Sequence, residues 1–295
     1  GQKESLIMAR NRVIYQSEAV FCNKDASLSG GYKQLERVQS ANYSFSINRQ
    51  DINQYGQLGK LDSIQLDAPT VNADLSYYLS DGFTERVLGF YVKNAAEPEA
   101  GFVSGHLADG SGRNLIVLTT PEGTDADLPV RSSLVATNQS IGIGNAYLSD
   151  YSVEMAVGAI PTVSVSFDAL NINADAAGNA ISSPAINPVD GTAVTHPDGL
   201  EIPNATTGQG TIAALRPGNI TVDISNFNTS GLANIGTTAD GAHIQSASLS
   251  IPMSRSTLER LGSKSAYARS VDFPVTATLS VSAIVNELQA TNLVD

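Results

Sequence analysis

The chain has 295 residues, with 17 Lys plus Arg against 29 Asp plus Glu, a formal net charge of −12. That length holds one large domain or two ordinary ones, and a 42% hydrophobic fraction can fill a core. The acidic balance disfavours groove binding to nucleic acid and attachment to anionic lipid, and Cys22, the one cysteine, leaves no intrachain disulfide framework or thiolate metal cluster.

Residues 1–37 read as an N-terminal arm, within which Met8-Ala-Arg10 looks like a translation start. No apolar run has the length of a membrane span or of a signal-peptide core. From residue 38 the dominant signal is period-two alternation, which puts apolar side chains on one face of a strand and polar ones on the other. Ser40 to Asn48 alternates Ala41, Tyr43, Phe45 and Ile47 with Asn42, Ser44 and Ser46. Thr70 to Leu79, Tyr151 to Val157 and Pro161 to Ala169 follow the same rule. So do Ala247 to Ser254 and Val275 to Ala283. Strands of this kind predict antiparallel sheet with one wet face, since parallel sheets carry continuous apolar runs. A framework over 38–172 and 243–295, with a loop-rich insertion over 173–242, is the expected organisation.

The chain also echoes itself. Ser40-Ala-Asn-Tyr-Ser-Phe-Ser-Ile-Asn-Arg49 aligns without gaps onto Ser246-Ala-Ser-Leu-Ser-Ile-Pro-Met-Ser-Arg255. Beyond each Arg, apolar residues three apart (Ile52 and Tyr55, Leu258 and Leu261) precede a glycine, Gly56 or Gly262. That spacing predicts a short helix with a glycine stop after each strand.

Signals for chemistry are sparse. The run Ile141-Gly-Ile-Gly-Asn145 lacks the third glycine of a dinucleotide fingerprint and reads as a turn. Asn171-Ile-Asn-Ala-Asp175 has calcium-loop spacing, but Ala176 stands where a glycine is needed. The three histidines, His106, His196 and His243, lie far apart. No catalytic residue, metal site or cofactor is expected. A more telling pattern is the lack of Lys and Arg in all six alternating windows, where edge strands commonly carry lysine against runaway pairing. Edges without that protection are edges meant to pair in another subunit.

The segment Arg37-Val-Gln-Ser-Ala-Asn-Tyr-Ser-Phe-Ser-Ile-Asn-Arg-Gln-Asp-Ile-Asn-Gln-Tyr-Gly56, followed by Ala68-Pro-Thr-Val71, resembles tail tube (major tail) proteins of tailed bacteriophages. The resemblance implies a mainly β fold, an antiparallel β-sandwich or barrel of the tail-tube type with short helices between strands. It also implies a non-enzymatic virion protein of the phage tail, made in the host cytoplasm and not inserted in a membrane. Such chains form hexameric rings, or trimeric rings of two modules each, that stack into a hollow tube for DNA. The other implied partners are further tail proteins, such as sheath, baseplate and terminator. On that reading Asn42, Ser44, Asn72, Asp74, Glu154, Asp168, Thr278 and Ser280 face the lumen, while Arg49 and Arg255 sit between subunits. The competing expectation is a β-rich surface or decoration module that binds glycans through its loops, which the absence of Trp weakens.

Overall fold

A computed structural model describes residues 18–23, 32–67, 69–92, 101–108, 112–121, 125–126, 138–177, 180–194, 200–201, 215–216, 218, 220 and 243–284. The chain opens with β1 (Glu18–Asn23), β2 (Lys33–Gln34), β3 (Val38–Ser46), β4 (Arg49–Ile52), β5 (Asp62–Gln65) and β6 (Thr70–Tyr78). Two short helices follow, α1 (Phe83–Leu88) and α2 (Ser104–Ala108). Then come β7 (Arg113–Thr119), β8 (Asn138–Ala156), β9 (Thr162–Ala169), β10 (Asn171–Ala177), β11 (Ala180–Ile181) and β12 (Leu200–Glu201). The C-terminal part holds β13 (His243–Pro252), β14 (Arg255–Leu258), β15 (Ala268–Val271) and β16 (Thr278–Ile284). The protein is mainly β, every strand pair among the described residues is antiparallel, and the large sheet is open rather than closed into a barrel.

The 19-residue strand β8 organises the fold. Its first half pairs with β7 and β10, and its second half with β9 and β13. Two layers result, one ordered β2-β1-β7-β8-β10 and the other β3-β6-β9-β8-β13-β16. A register shift between Leu148 and Asp150, and Asn145 at φ 52°, bend β8 where it passes from one layer to the other. The layers enclose a core that includes Val20, Leu115, Ile143, Val71, Val165 and Phe167, with α1 adding Val87 and Leu88. The second face of β1 and β7, with Phe21, Ile116 and Leu118, is covered by Tyr32, Ala126 and Val194. Of the stretch read as an arm, Glu18–Asn23 is thus a sheet strand with five buried residues.

Two expectations are corrected. The segments after Arg49 and Arg255 are the hairpins β4–β5 and β14–β15, not helices. Apolar residues three apart straddle a hairpin tip as readily as they line a helix, and Gly56 (φ 92°) and Gly262 (φ 86°) supply the left-handed turn. The glycine run at 141–145 lies inside β8 and is no turn. A side chain at Gly144 would strike the Pro184 backbone carbonyl that packs across the strand. Asn171 to Asp175 is likewise strand, in β10. Of the expected loop-rich insertion, most of 195–242 lies outside the described residues.

The echo is structural down to single hydrogen bonds. Ser40 pairs with Ser76, and Ser246 with Ser282, a shift of 206 residues (246 − 40) that holds through both strand pairs. The bulge between Val38 and Ser40 recurs between Ile244 and Ser246. The hairpins match too, Arg49 facing Gln65 as Arg255 faces Val271. Leu61 N–H donates to Ile52 O at 2.9 Å, as Tyr267 does to Leu258 O at 2.9 Å. A strand–hairpin–strand unit is therefore present twice, and the β8–β9 pair lies between the copies.

Candidate functional site

Cross-strand register places all eight residues expected at the lumen on one face of the six-stranded layer. Asn42 faces Asp74, which faces Ser166; Ser44 faces Asn72, which faces Asp168. Glu154 lies between Thr162 and Ser248, Ser248 faces Ser280, and Ser250 faces Thr278. Because successive side chains alternate faces, each strand sends its Ser, Thr, Asn and acids one way and its apolar residues the other. None of the six strands carries Lys or Arg.

The face is held by short polar contacts. Ser166 Oγ donates to Asp74 Oδ1 at 2.7 Å. Asn72, with its amide turned to donate, reaches Asp168 Oδ1 at 3.1 Å. Asp150 belongs here as well, opposite Ser166 and Pro252, and partial burial raises its carboxyl above the usual range. Sequence reading missed Asp150, although it is in phase with Ser152 and Glu154; the irregularity at Leu148/Asp150 broke the alternation before it. Among the described residues no cluster of His, Cys, Asp or Glu is placed to hold a metal ion, and no helix is long and apolar enough to cross a membrane.

Both ends of the layer are open edges. Among the described residues β3 pairs only with β6, and β16 only with β13. The apolar side of these strands is partly uncovered too, although Val38 and Ala41 of β3 pack on the core. Phe45 is 61% exposed, whereas Ile251, its equivalent in the second copy, is 6% exposed. Ile47 is 40% exposed against 0% for Met253, and Leu279 on β16 is also open.

The two arginines have parted ways. Arg255 is half-buried, donating to the carbonyls of Leu148 and His106 at 3.3 Å each, over the Tyr147 ring at 5.4 Å. The segment that receives it is pinned to the sheet by aromatic packing, Phe90 stacking on Phe102 at 4.6 Å and meeting Tyr151 and His106. Arg49, at the matching position, is exposed.

No protein-family model matches the sequence, and no curated protein matches it. Several solved structures resemble it in part. One is the sheath–tube complex of an extracellular contractile injection system (PVC) in the extended state, at 12% identity and TM-score 0.37 over 60% of this chain and 100% of that one. Another is the tube-terminating cap of the anti-feeding prophage, at 16% identity and TM-score 0.33 over 58% and 95%. A third is the SPP1 tail tube, at 8% identity and TM-score 0.35 over 70% and 99%. At those scores the likeness decides no role, and the functional reading rests on the surfaces of this chain.

Proposed function

We propose that this chain is a structural subunit whose copies join edge to edge into rings that stack as a phage tail tube, with the polar face inward as the wall of a DNA channel. The observation that carries the reading is the six-stranded layer itself, free of cations on its polar face and open at both edges. Strands alternate in direction from β3 to β16, so β16 of one copy meets β3 of the next antiparallel, and the alternation continues across the seam. The same step brings the apolar residues Leu279 and Phe45 together and closes two edges that would otherwise template aggregation.

The wall chemistry fits passage rather than capture. Lys or Arg would neutralise phosphates and release counterions into a lasting complex. Carboxylates at Asp74, Asp150, Glu154 and Asp168 instead repel the duplex, over a range of about 8–10 Å at physiological salt. No bond is made or broken on this reading, and the duplicated unit gives each ring twice as many hairpins as chains.

Sedimentation velocity of the full chain and of Leu279→Lys tests the seam. The wild type should form rings, and the variant should keep its circular dichroism yet stay monomeric, because residue 279 is already exposed in the free chain. Rings of undiminished stability in Leu279→Lys would refute pairing at β16.

A further inference from the structure

The strand directions put both hairpins at one end of the six-stranded layer, because β3 and β13 run the same way. The two are matched inside and unlike outside. Their turns correspond, with Gln57 N–H on Gln54 O as Ser263 N–H is on Arg260 O. Among the described residues, however, every hydrogen bond made within 48–67 stays within that stretch, and only Ser63 there is not exposed. A two-stranded hairpin with nothing packed on it is marginally stable in water.

The second hairpin is held at root and shoulder. At its root Arg255 donates to the carbonyls of Leu148 and His106. At its shoulder Lys264 N–H donates to Val189 O at 3.1 Å, and Ser265 N–H to Pro188 O at 3.0 Å. Ser265 and Ala266 are buried there, whereas Gly59 and Lys60, their equivalents, are exposed. Leu58 and Gly59, at the positions of Lys264 and Ser265, meet no such carbonyls among the described residues.

The loop that supplies those carbonyls is itself stiff. Ile186 bridges Ala193, Gly191 N–H donates to Asn187 O at 2.8 Å, and Asp190 Oδ1 accepts from Thr192 N–H at 2.8 Å. Its base is fixed in the other layer, where Ala185 is buried and Ile186 N–H donates to Asn145 Oδ1 at 2.8 Å, at the bend of β8. The Thr192 hydroxyl and backbone N–H, with the Lys264 charge behind them, hold the Asp190 carboxyl below its usual range. We infer that the 185–194 loop is a brace that fixes the direction of β14–β15 in the free chain, while β4–β5, which has no brace, is a mobile arm joined to the sheet only through β3 and β6. Each chain then carries one arm whose direction is set before any contact and one whose direction is set by contact. The inference concerns the dissociated chain and does not rest on the tube reading.

Hydrogen exchange of the full chain below its assembly concentration tests this, with a control built into the repeat. Leu61 and Tyr267 make the same 2.9 Å bond inside their hairpins, so a difference between them reports what lies outside. After correction for intrinsic rates, the Tyr267 amide should exchange at least about tenfold more slowly than the Leu61 amide. Gly191→Val forces a β-branched side chain to hold φ 72° against Lys264. It should speed exchange at Tyr267 towards the rate of Leu61 and leave Leu61 and the core amides of β8 unchanged. Asp190→Lys, which sets like charges together and removes the acceptor for Thr192 N–H, should do the same. Equal protection of Leu61 and Tyr267 in the native chain would overturn the inference, and so would undiminished protection of Tyr267 in both brace variants.

Discussion

Phe45 and Ile251 occupy the same position in the two copies of the repeated unit, yet one is 61% exposed and the other 6%. In the dissociated chain Ile251→Ala should cost about 2–5 kcal/mol, the usual range for emptying a buried aliphatic site. Phe45→Ala should cost only about 1–2 kcal/mol there, because little more than a third of its ring is in contact. Assembly should reverse the ranking. A phenylalanine has roughly 200 Å² to bury, so covering the open part removes about 120 Å² from water, or about 3 kcal/mol at 25 cal/mol/Å². That corresponds to more than a hundredfold in the association constant. Urea unfolding below the assembly concentration gives the first pair of numbers, and sedimentation across a dilution series gives the second. Equal unfolding costs, or assembly indifferent to Phe45, would refute the argument that the first copy is completed by a neighbour.

Three further outcomes follow, the first from the proposed channel and the other two from packing and burial. Asp74→Lys places a cation opposite Asn42 and Ser166 on the polar face; DNA release from particles carrying it should slow, most strongly at low salt, and a salt-independent rate equal to wild type would contradict the channel assignment. Burial raises the Glu85 carboxyl, and the neighbouring Asp81 charge pushes the same way. Its folded pKa therefore lies above the unfolded one, so stability is highest below the unfolded pKa and falls as pH rises through the folded value. Glu85→Gln should flatten that fall and raise Tm at neutral pH; a melting profile with unchanged pH dependence would show that Glu85 does not carry it. Gly144→Ala should destabilise by about 1–3 kcal/mol, because its methyl meets the Pro184 carbonyl rather than a movable side chain; an unchanged denaturation midpoint would show that the 184–185 segment yields.

The six half-exposed strands were legible because a layer with one wet face writes its period into the sequence. The stretch Glu18–Asn23 was harder to read, since both its faces are covered and its sequence is a nearly continuous apolar run. The hairpins after Arg49 and Arg255 were misread because a tip glycine and apolar neighbours satisfy two templates at once. What separates them is cross-strand pairing, Ile52 with Asp62 and Leu258 with Ala268, which single-residue spacing does not encode. The sequence echo was visible, but the shared bulge and register were not, because backbone hydrogen bonds leave no side-chain signature. Arg255 illustrates the remaining limit. Its receiving carbonyls at Leu148 and His106 lie more than a hundred residues away in sequence, so its engagement within the chain was invisible.

The most direct test of the tube account is electron microscopy of the purified full chain across a concentration series, with averaging of end-on and side views. The account predicts hollow tubes of uniform width in which the six-stranded layer forms the inner wall, with β16 beside β3 at every seam. Compact monomers at all concentrations, or tubes whose inner wall is built from the other layer, would contradict it.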